Sequence, residues 1–597
     1  MTDLIQRALS AQTVAPVRRR LFRQLLESLV YEGTLQPTGG GNGRARIDGV
    51  DARGEPVSYL FQMRVRHGFD RVAVGPEPVR RRAEGDEREA ESVTRFLDDV
   101  RAGLQASPER LAGFARELEE TLVKDALARY VFERRPDASP TASHDALEAQ
   151  ITDGHRYHPA YKSRLGFDVE DNLAYGPEYA APLHPLWLAA RRSIAQLTHN
   201  AGVGETAFLR AQLGAAALDG FHAAIRAAGE DPDEFVLLPV HPWQWRQSIV
   251  RAFADELRRR DLLVLGPDPH AFVAQQSIRT IACIDEPARH NLKLALSIVN
   301  TSTSRGLAAH TVANAPPVSR WLQRVVDGDP FLRDEQRTVL LGEVMGCAVD
   351  PADAPQLLRA DRYGALACIW RESLHARLDP GEQAMPFTGL TARTADGTPL
   401  VDRWVRTLGL SGWLTRVIDV SATPLLHLLC GHGIALEAHA QNMLLLHSDG
   451  QPTRVALKDF HDGVRFSRRL LAEPALCPAL AATPSHHANR NSFLETDDIE
   501  LVADFLLDAF LFINLGELAI FLADAYGFEE REFWAIADSV VEGYQERFPQ
   551  LGDRFALFDV RKPTIAVEKL TTRRLLPDTE LRLHAVRNPL AREARRC

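Results

Sequence analysis

GHRYHPAYKSR, residues 154–164, is the most informative stretch of this chain. It packs two histidines, one lysine and two arginines into eleven residues, directly before the apolar Leu165 and Phe167. Cations buried without a partner carry a large desolvation penalty, so such a cluster is costly unless an anion binds to it. The stretch therefore predicts an anion-binding element at the start of a folded domain.

Length and composition indicate a multidomain globular protein. The chain has 597 residues and a mass of 66.3 kDa, from which we expect about two to four domains. A net charge of -10 and a pI near 6.1 argue against a general nucleic-acid binder. The six cysteines are scattered and form no CxxC pair, which favours reduced thiols in the cytoplasm over disulfides or a structural zinc site.

No segment is predicted to cross a membrane. Residues 1–30 resemble a charged amphipathic helix rather than a signal peptide. Residues 420–436 carry no formal charge, but they contain Pro424 and two histidines and are short for a span, so we interpret them as a buried element. Acidic residues also interrupt the apolar C-terminal helix, at Asp504, Asp508 and Glu517.

The first third predicts a separate domain, residues 1–147. The glycine run at 39–43 favours a hairpin turn and lacks the Lys-Ser/Thr of a phosphate loop. The three arginines at 80–82 and the acids after them favour a solvated helix start or loop. Residues 90–135 are predicted to be largely helical, and 136–150 to form a linker.

The remainder predicts two more domains, 148–380 and 381–597, and hence a mixed α/β (α+β) protein of three domains. Residues 271–284 and 292–300 are typical of two antiparallel strands, and 316–380 of helices. From Asp497 onward the chain is predicted to be mostly helical, with Thr496 and Asp497 as candidate caps.

A second polar cluster is QQSIRT, residues 275–280, with Lys293 and Ser297 on the partner strand. Arg and Lys on rigid strands can hold triphosphate oxygens where no phosphate loop exists. The alternative is the polar outer face of a sheet. Whether Thr280 or Arg279 shares a face with Lys293 depends on the hairpin register, which the sequence leaves open.

A third cluster, NTSTSRG at residues 300–306, follows at the end of the second strand. Its four hydroxyls and Arg305 are suited to a carboxylate, because hydroxyls and backbone N–H groups donate to its oxygens and arginine can bind it bidentately. The alternative is a Ser/Thr-rich turn that caps the next helix.

The fourth cluster joins EAHAQN (437–442) to LKDFHDG (457–463). Thr423-Pro424 has the pattern of a helix start and Gly431 to Gly433 that of its end. Beyond it, an extended segment would place Glu437, His439 and Gln441 on one face, whereas a helix would turn Glu437 and His439 apart. The oxygen ligands available here, those of Glu437, Asn442 and Asp459, suit Mg²⁺. His439 by itself would be interpreted as a core histidine, but the company of these residues favours a role in the site.

Together these clusters resemble the NRPS-independent siderophore (NIS) synthetases, of the aerobactin-synthetase type. The resemblance runs from about residue 150 to about residue 590, and VRNPL at 586–590 resembles the family's tail. The motifs that carry it, in order, are GHRYHPAYKSRLGF (154–167), LPVHPWQW (238–245), SIRT (277–280), KLALSIVNTSTSR (293–305), EAHAQN (437–442) and KDFHDG (458–463).

The resemblance implies thumb, fingers and palm domains in a cytoplasmic homodimer, with the active site between fingers and palm. It implies that ATP activates a carboxylic acid, commonly citrate or a related polycarboxylate, as an acyl-adenylate. An amine, amino acid or amino alcohol then attacks to give an amide or ester in siderophore biosynthesis. No covalent enzyme nucleophile is needed, in agreement with the lack of a G-x-S-x-G elbow.

The same resemblance implies residue roles. ATP would be held by His158, Lys162, Ser277, Arg279, Thr280 and Lys293. The carboxylate substrate would be held by Thr301, Ser302, Arg305, His439 and Gln441. Mg²⁺ would be held by Glu437, Asn442 and Asp459. The groups implied to act in catalysis are Lys293, Arg305 and His439.

Three other interpretations compete. A small-molecule phosphotransferase is suggested by His439-x-Gln441-Asn442 followed by Asp459, but it would need a glycine-rich phosphate loop. A non-catalytic citrate or ferric-citrate binder would not need the ATP-type cations and the magnesium-type acids. A zinc hydrolase using His155, His158 and His241 lacks an HExxH helix. The corner LPVHPWQW is interpreted as structural, with His241 near the site.

Overall fold

The computed structural model describes residues 2–10, 12–39, 43–135, 142–200, 202, 204–301, 303–350, 355–487, 492–577 and 579–591. Within these ranges the chain is a mixture of helices and strands, as predicted. Three large hydrophobic cores follow one another along the chain, and the last is also contacted by residues from the N-terminal part.

The N-terminal part packs helices against one antiparallel sheet. Its strands are Thr38–Gly39, Arg44–Val50, Pro56–Val65, Val72–Val74, Arg80–Ala83 and Asp86–Glu89. Its helices are Thr2–Ser10, Val14–Tyr31, Val93–Asp99, Arg101–Leu104 and Pro108–Phe132. The predicted helical region 90–135 is confirmed, whereas the single helix predicted for residues 1–30 is divided into two.

Two predictions for this part need correction. The arginine run forms a strand of a β-hairpin, not a helix start, because Arg80 and Arg82 both bind Glu87 across the two strands. Because all three side chains are charged, their alternation between the two faces of a strand gives no alternation of apolar and polar residues in the sequence. The predicted linker contains a helix, His144–Glu148, capped by Ser143, while residues 136–141 lie outside the described ranges. Gly39 pairs with Ala45, and the turn predicted at the glycine run falls on residues 40–42, which lie outside the described ranges.

The middle part contains two sheets that share a core. Leu186–Arg191 is flanked by Leu262–Pro267 and Phe235–Val240, all antiparallel. The larger sheet has the strand order Phe272–Ala274, Thr280–Cys283, Asn291–Leu294, Ala367–Arg371, Glu343–Val349 and Ala195–His199. The hairpin Leu296–Asn300 with Thr303–Arg305 follows directly.

Helices surround these sheets. They are Val169–Tyr175, Glu205–Leu213, Ala215–Ala227, Pro242–Gln244, Val250–Ala252, Ala254–Arg259, Ala309–Gly328 and Arg359–Arg362, with π-helical turns at Trp245–Ile249 and Phe331–Glu335. Short 3-10 turns complete the connections here and in the C-terminal part.

Two predictions in the middle part are wrong in detail. The strand predicted at 271–284 is itself a hairpin, because the chain turns between Ala274 and Thr280. The helical region predicted at 316–380 ends at Gly328 and continues as strands, among them Glu343–Val349. Short apolar runs such as this one are buried on both faces, and hydrophobic periodicity cannot distinguish such a strand from a buried helix.

The C-terminal part combines a four-stranded sheet with long helices. The sheet order is Val339–Leu341, Gln451–Lys458, Met443–Ser448 and Gln383–Pro386, and two further pairs are Ile434–Leu436 with Val464–Phe466 and Thr564–Glu568 with Leu583–Arg587. The helices are Asp402–Leu408, Leu410–Leu426, Ile499–Leu506, Gly516–Tyr526, Glu530–Arg547, Gly552–Leu557 and Thr572–Leu575, with π-helical turns at His427–His432 and Leu507–Leu515.

Residues 499–526 form one continuous helical run through the core. By length and composition this run could cross a membrane, but 72% of its apolar window is buried inside the fold. The carboxylate of Asp498 caps its first turn, in place of the predicted Thr496 and Asp497. The predicted helical character of the region is confirmed, apart from the terminal hairpin.

The helix start predicted at Thr423-Pro424 is also wrong. Pro424 lies inside the helix Leu410–Leu426, which continues into the π-helical turn and ends before Gly433, as predicted for that end. The apolar face of this helix is buried in the core, and tertiary packing outweighs the backbone hydrogen bond that proline cannot make.

Candidate active site

One face of the larger sheet of the middle part carries Thr280 and Lys293, two of the residues predicted from the second cluster. Thr280 lies directly opposite Lys293, so these two residues share a face. On the strand next to that of Lys293, Arg371 is paired with Asn291 on one side and with Glu343 on the other. This pairing places Arg371 and Glu343 on that face too. The register left open by the sequence thus puts Thr280 beside Lys293.

Asp459, which follows the strand Gln451–Lys458, lies over this face. Its two carboxylate oxygens bind Lys293 Nζ at 3.0 Å and Arg371 at 2.5 Å. Burial alone would raise the pKa of the Asp459 carboxyl, but Lys293 and Arg371 hold it well below its usual range. Burial in turn lowers the pKa of Lys293 to about 8, against the opposing effect of Asp459.

His461, two residues after Asp459, is held by a buried carboxylate. Its Nδ1 lies 2.6 Å from Glu343 Oε1, and its backbone N–H donates to Glu343 Oε2 at 2.9 Å. The other ring nitrogen, Nε2, lies 3.3 Å from Lys293 Nζ. Lys293 is therefore positioned from two sides, by Asp459 and by the Glu343–His461 pair.

A tight turn, not a strand, presents Ser277 and Arg279. The Ser277 hydroxyl accepts from the Thr280 N–H at 3.1 Å, and the backbone of Gln275 pairs with Thr280 across the turn. Ile278 has φ +69, a conformation unfavourable for a β-branched residue. Its side chain is fully buried beside Phe167, and this packing holds the turn in place.

Arg279 links this turn to the hydroxyl-rich hairpin by donating to the carbonyl oxygen of Gly306 at 2.8 Å. In the hairpin, Thr301 has φ +59 and its hydroxyl lies 3.4 Å from the Arg305 guanidinium. Burial lowers the pKa of Arg305 to about 10, and the neighbouring Arg279 contributes in the same direction. Ser302 lies outside the described residues.

The segment from Glu437 to Asn442 faces the same space from the C-terminal part. It is not extended throughout, because residues 440–442 form a short 3-10 turn. Glu437, His439 and Gln441 nevertheless all line one cavity. His439 Nε2 is 3.9 Å from Glu437, and Asn442 Nδ2 donates to the Glu437 carbonyl oxygen at 3.0 Å. The alternation of alanines in the sequence does not reveal this turn, so the segment was predicted to be extended.

Two pKa values distinguish this segment. Burial, reinforced by Asp462 and Asp459, raises the pKa of Glu437 to about 7. Burial lowers the pKa of His439 to about 4, so its imidazole is neutral at pH 7. A neutral histidine can donate one hydrogen bond to an anionic ligand without adding charge.

The opening cluster, residues 154–164, contributes His158 and Lys162 to the cavity wall. His158 Nδ1 accepts from the Ala160 N–H at 3.1 Å, which leaves the ring proton on Nε2. The ammonium of Lys162, in contrast, is bound by Asp125 at 2.7 Å and by the Thr152 carbonyl oxygen at 2.8 Å. Lys162 therefore stabilises the wall of the site through this buried ion pair.

Most of these groups line one cavity of about 420 Å³, whereas Thr280, Glu343 and Arg371 are not part of its lining. Several buried polar atoms of its lining have no hydrogen-bond partner among the described residues: His158 Nε2, Arg279 Nε, Arg305 Nε and Asn300 Oδ1. Three of these four atoms are N–H donors, and buried donors of this kind are normally paired. The lining therefore fits a phosphorylated or polycarboxylate ligand.

The same cavity has an oxygen-rich side that fits a hard divalent cation. Carboxylates of Glu437, Asp459 and Asp462 line it together with the Asn442 amide. Mg²⁺ takes oxygen ligands and uses few of them from the protein. Burial, together with the neighbouring Asp462 and Asp459, raises the pKa of Glu437, and a cation at this position would oppose that shift.

Sequence reasoning missed four of the groups that build the site. Arg371 and Glu343 lie in the region predicted to be helical, and His461 and Asp462 belong to the KDFHDG motif, which implied no role for them. A charged residue at the end of an otherwise apolar run, as in CIWR at 368–371, is the signal that could have identified Arg371.

The zinc-hydrolase interpretation relied on His155, His158 and His241. In each of these residues Nδ1 accepts from a nearby backbone N–H, as in local caps.

Two protein-family models match the chain. The model described as the IucA / IucC family matches residues 143–392, and the model described as a ferric iron reductase FhuF-like transporter matches residues 411–583. The two matches therefore cover the middle and C-terminal parts that surround the cavity.

Curated proteins are similar over nearly the whole chain. The citryl-spermidine/3,4-dihydroxybenzoyl-citryl-spermidine:spermidine ligase of Bacillus anthracis is 39% identical over 98% of this chain and 95% of its own length. The 2-[(L-alanin-3-ylcarbamoyl)methyl]-3-(2-aminoethylcarbamoyl)-2-hydroxypropanoate synthase of Staphylococcus aureus is 40% identical over 96% of this chain and 92% of its own length.

Solved structures agree in fold. The petrobactin biosynthesis protein AsbB from Bacillus anthracis superimposes with a TM-score of 0.93 at 38% identity, covering 99% of this chain and 98% of AsbB. The likeness extends across the N-terminal part, where sequence reasoning recognised no motif.

Proposed function

This chain belongs to the IucA/IucC family of NRPS-independent siderophore synthetases, and we propose that it uses ATP to adenylate citrate and transfers the citryl group to an amine. It is a ligase of siderophore biosynthesis. The observation that carries the proposal is one cavity in which Arg279, Lys293 and Arg305 face the acids Glu437 and Asp459. Adenylation needs such cations, because a carboxylate must approach the polyanionic triphosphate.

In the proposed first step, a carboxylate oxygen of citrate attacks the α-phosphorus of ATP and pyrophosphate leaves. Lys293 and Arg279 are proposed to bind the phosphate oxygens, with Ser277 and the Nε2 proton of His158 as further donors. Thr280, implied by the resemblance to hold ATP, lies opposite Lys293 but outside the cavity lining. Lys162 contributes by stabilising the wall beside them. Family membership and the unpaired buried donors of the cavity support ATP as the ligand.

Mg²⁺ is proposed to be held by Glu437, Asn442 and Asp459, with Asp462 beside them. When bound it would neutralise charge on the phosphates. Glu437 must be ionised to bind the cation, and its pKa of about 7 makes this binding dependent on pH.

Citrate is proposed to be held by Thr301, Ser302, Arg305, His439 and Gln441. Arg305 supplies the one full positive charge of this set and His439 a neutral donor. Arg305 and His439 are proposed to hold the attacking carboxylate at the phosphorus while Lys293 stabilises the charge that develops there.

In the second step, an amine attacks the acyl carbon and AMP leaves, which forms an amide. The names of both curated relatives describe amides whose amine part carries a further nitrogen. The cavity wall formed by residues 507–526 carries Asp508 and Glu517, which suits a nucleophile with a second ammonium group. We therefore propose a diamine or polyamine.

Family membership also supports a homodimer located in the cytoplasm as a proposal. Analytical ultracentrifugation of the purified protein tests the dimer: a sedimenting species of one chain mass would contradict it.

Product analysis tests the function. Purified protein, ATP and Mg²⁺ are incubated with and without citrate, with hydroxylamine as a trap, and the nucleotide products and hydroxamate are measured. We expect AMP, pyrophosphate and citryl hydroxamate only when citrate is present. ADP as the product would indicate a phosphotransferase instead, and citrate binding without turnover across a panel of carboxylates would indicate a binding protein.

A matched pair of arginine variants sharpens this test. Arg305→Gln removes the cation proposed to hold citrate, and we expect kcat/KM for citrate to fall about 10–100-fold. Arg320→Gln alters an exposed arginine and should leave it unchanged. Equal values of kcat/KM for citrate in Arg305→Gln and in the unaltered protein would show that Arg305 does not bind citrate.

A further inference from the structure

A second cluster of metal-type ligands lies where the end of the helix Ala309–Gly328, from the middle part, packs against the C-terminal part. Oδ2 of Asp329 lies 3.0 Å from His427 Nε2 and 2.8 Å from His432 Nε2. The three ligand atoms all lie within 4.8 Å of one another. None of these residues lines the cavity described above, so the cluster is separate from the candidate active site.

The π-helical turn at His427–His432 brings the two histidines together. In an α-helix, residues five apart point about 140° away from each other. In a π-helix the backbone hydrogen bonds join residues five apart, so the two side chains fall on one side. The imidazole rings are 5.6 Å apart and both face Asp329, which follows the helix Ala309–Gly328.

In Asp329 and His427, the polar atom that faces away from the cluster already has hydrogen-bond partners. Asp329 Oδ1 accepts from the backbone N–H groups of Phe331 and Leu332 at 2.8 and 3.1 Å. His427 Nδ1 lies 3.0 Å from the hydroxyl of Tyr544. Histidine ligands of metal ions are commonly held in this way through their second ring nitrogen, and ligand carboxylates through their second oxygen.

We propose that Asp329, His427 and His432 bind a divalent transition-metal ion of the zinc class. Two imidazoles and one carboxylate are a ligand set that zinc accepts, with water in the fourth position. The three side chains are largely buried, with exposures of 9–15%, and each keeps some contact with solvent. The proposal is independent of the proposed function.

Metal binding would join two segments of the core, and Tyr544 contacts one of the ligands from a third. Asp329 belongs to the end of one helix, the histidines to the π-helical turn, and Tyr544 to the helix Glu530–Arg547. An ion that binds only the folded state stabilises it by mass action. We therefore expect Zn²⁺ to raise the melting temperature of the protein.

Metal titration tests the proposal. Chelator-treated protein in millimolar Mg²⁺ is titrated with Zn²⁺ against a chromogenic competitor, and with Co²⁺ while its visible absorption is recorded. We expect one tightly bound ion per chain and the visible bands of four-coordinate cobalt. Asp329→Asn and His432→Ala should each weaken Zn²⁺ binding at least about tenfold, and Tyr544→Phe about tenfold, as for loss of an outer partner.

His375→Ala provides the matched control, because His375 also faces a carboxylate, that of Asp145, at 2.8 Å in the other His/Asp cluster of the described residues. This variant should keep the tight Zn²⁺ site. Loss of binding in His375→Ala but not in His432→Ala would overturn the proposal, as would the absence of tight Zn²⁺ binding. His432→Gln repeats the test with a larger polar side chain in case His432→Ala unfolds.

Discussion

At Asp459, a buried carboxylate is stabilised by two cations that come from different strands. Lys293 binds one oxygen and Arg371 the other, and Arg371 also binds Gln275 Oε1 at 2.7 Å. Removing one partner of a buried ion pair costs more than the pair contributes, because the remaining charge is left uncompensated. The chemistry of this site thus depends on residues that touch one another, not on isolated motifs.

Arg371→Met tests this dependence. We expect kcat/KM to fall about 10–100-fold, because Asp459 loses a partner and shifts from its position. Steady-state kinetics of hydroxamate formation measures the effect. Arg377→Met, which alters a more exposed arginine bound to Glu372, should change little. Unchanged kinetics in Arg371→Met would show that Lys293 alone positions Asp459.

The pKa of Glu437 predicts a dependence of stability on pH. Its folded-state pKa is raised to about 7, so folding favours the protonated form. The stability contribution is therefore fully present below the unfolded-state pKa and is lost as pH rises towards 7. As pH rises towards 7, we expect the melting temperature of the ligand-free protein to fall relative to that of Glu437→Gln. Above that pH, the difference between the two melting temperatures should stay constant. A difference independent of pH would contradict the raised pKa.

At the scale of elements, the ligands proposed for the site come from strand ends and turns. Ile278, Thr301 and Asp459 all have positive φ, a backbone state that costs energy for residues other than glycine. Each lies in a turn that presents a polar group to the cavity. The strands provide a rigid base, and the strained turns direct polar groups from that base into the cavity.

Gly463 closes the turn after Asp459, and a side chain would not fit there. A Cβ at Gly463 would lie 2.2 Å from the Asp459 carbonyl oxygen, which is backbone and cannot move alone. We expect Gly463→Ala to lower kcat/KM about 100-fold by displacing Asp459, and to lower the melting temperature. Kinetics and thermal unfolding measure both effects.

Gly543→Ala is the control for this substitution. Gly543 lies in the helix Glu530–Arg547 with open space around its Cα, so alanine should stabilise that helix by up to about 1 kcal/mol. Wild-type kinetics in Gly463→Ala would show that the turn tolerates a shift without disturbing Asp459.

At the scale of the whole molecule, the N-terminal part is joined to the end of the chain. The buried carboxylate of Glu32 accepts from the backbone N–H groups of Thr571 and Thr572 at 3.0 and 2.7 Å, and from the Tyr157 hydroxyl at 3.1 Å. Tyr157 belongs to the opening cluster, so one carboxylate connects the N-terminal helix, the cluster beside the cavity and the C-terminal segment.

Glu32→Ala should therefore destabilise the fold. It leaves the two N–H groups and the Tyr157 hydroxyl buried without an acceptor, and we expect a loss of about 3 kcal/mol in unfolding free energy. Glu32→Gln keeps one acceptor oxygen and should lose less. Glu91→Ala, at an exposed position, serves as the control. Equal melting temperatures for Glu32→Ala and Glu91→Ala would show that the joint does not limit stability.

Much of this molecule is accessible from the sequence. The clusters at 154–164, 275–280 and 300–306 predict groups that bind anions, and the cluster at 437–442 predicts oxygen ligands for a cation, because residue type alone decides charge and hydrogen-bonding capacity. The reaction itself was implied by the family resemblance. The sequence also predicts helices in the first part, and its glycines at 431–433 predict the helix end that the structure has before Gly433.

Only the tertiary structure decided how those groups meet. It places Thr280 opposite Lys293, brings Arg371 and Glu343 from a region expected to be helical, and joins Asp329 to histidines about a hundred residues later. Strand register and contacts between distant segments depend on how buried surfaces pack against each other. Neighbouring residues do not encode that packing, and the same apolar run can pack as a helix or as a strand.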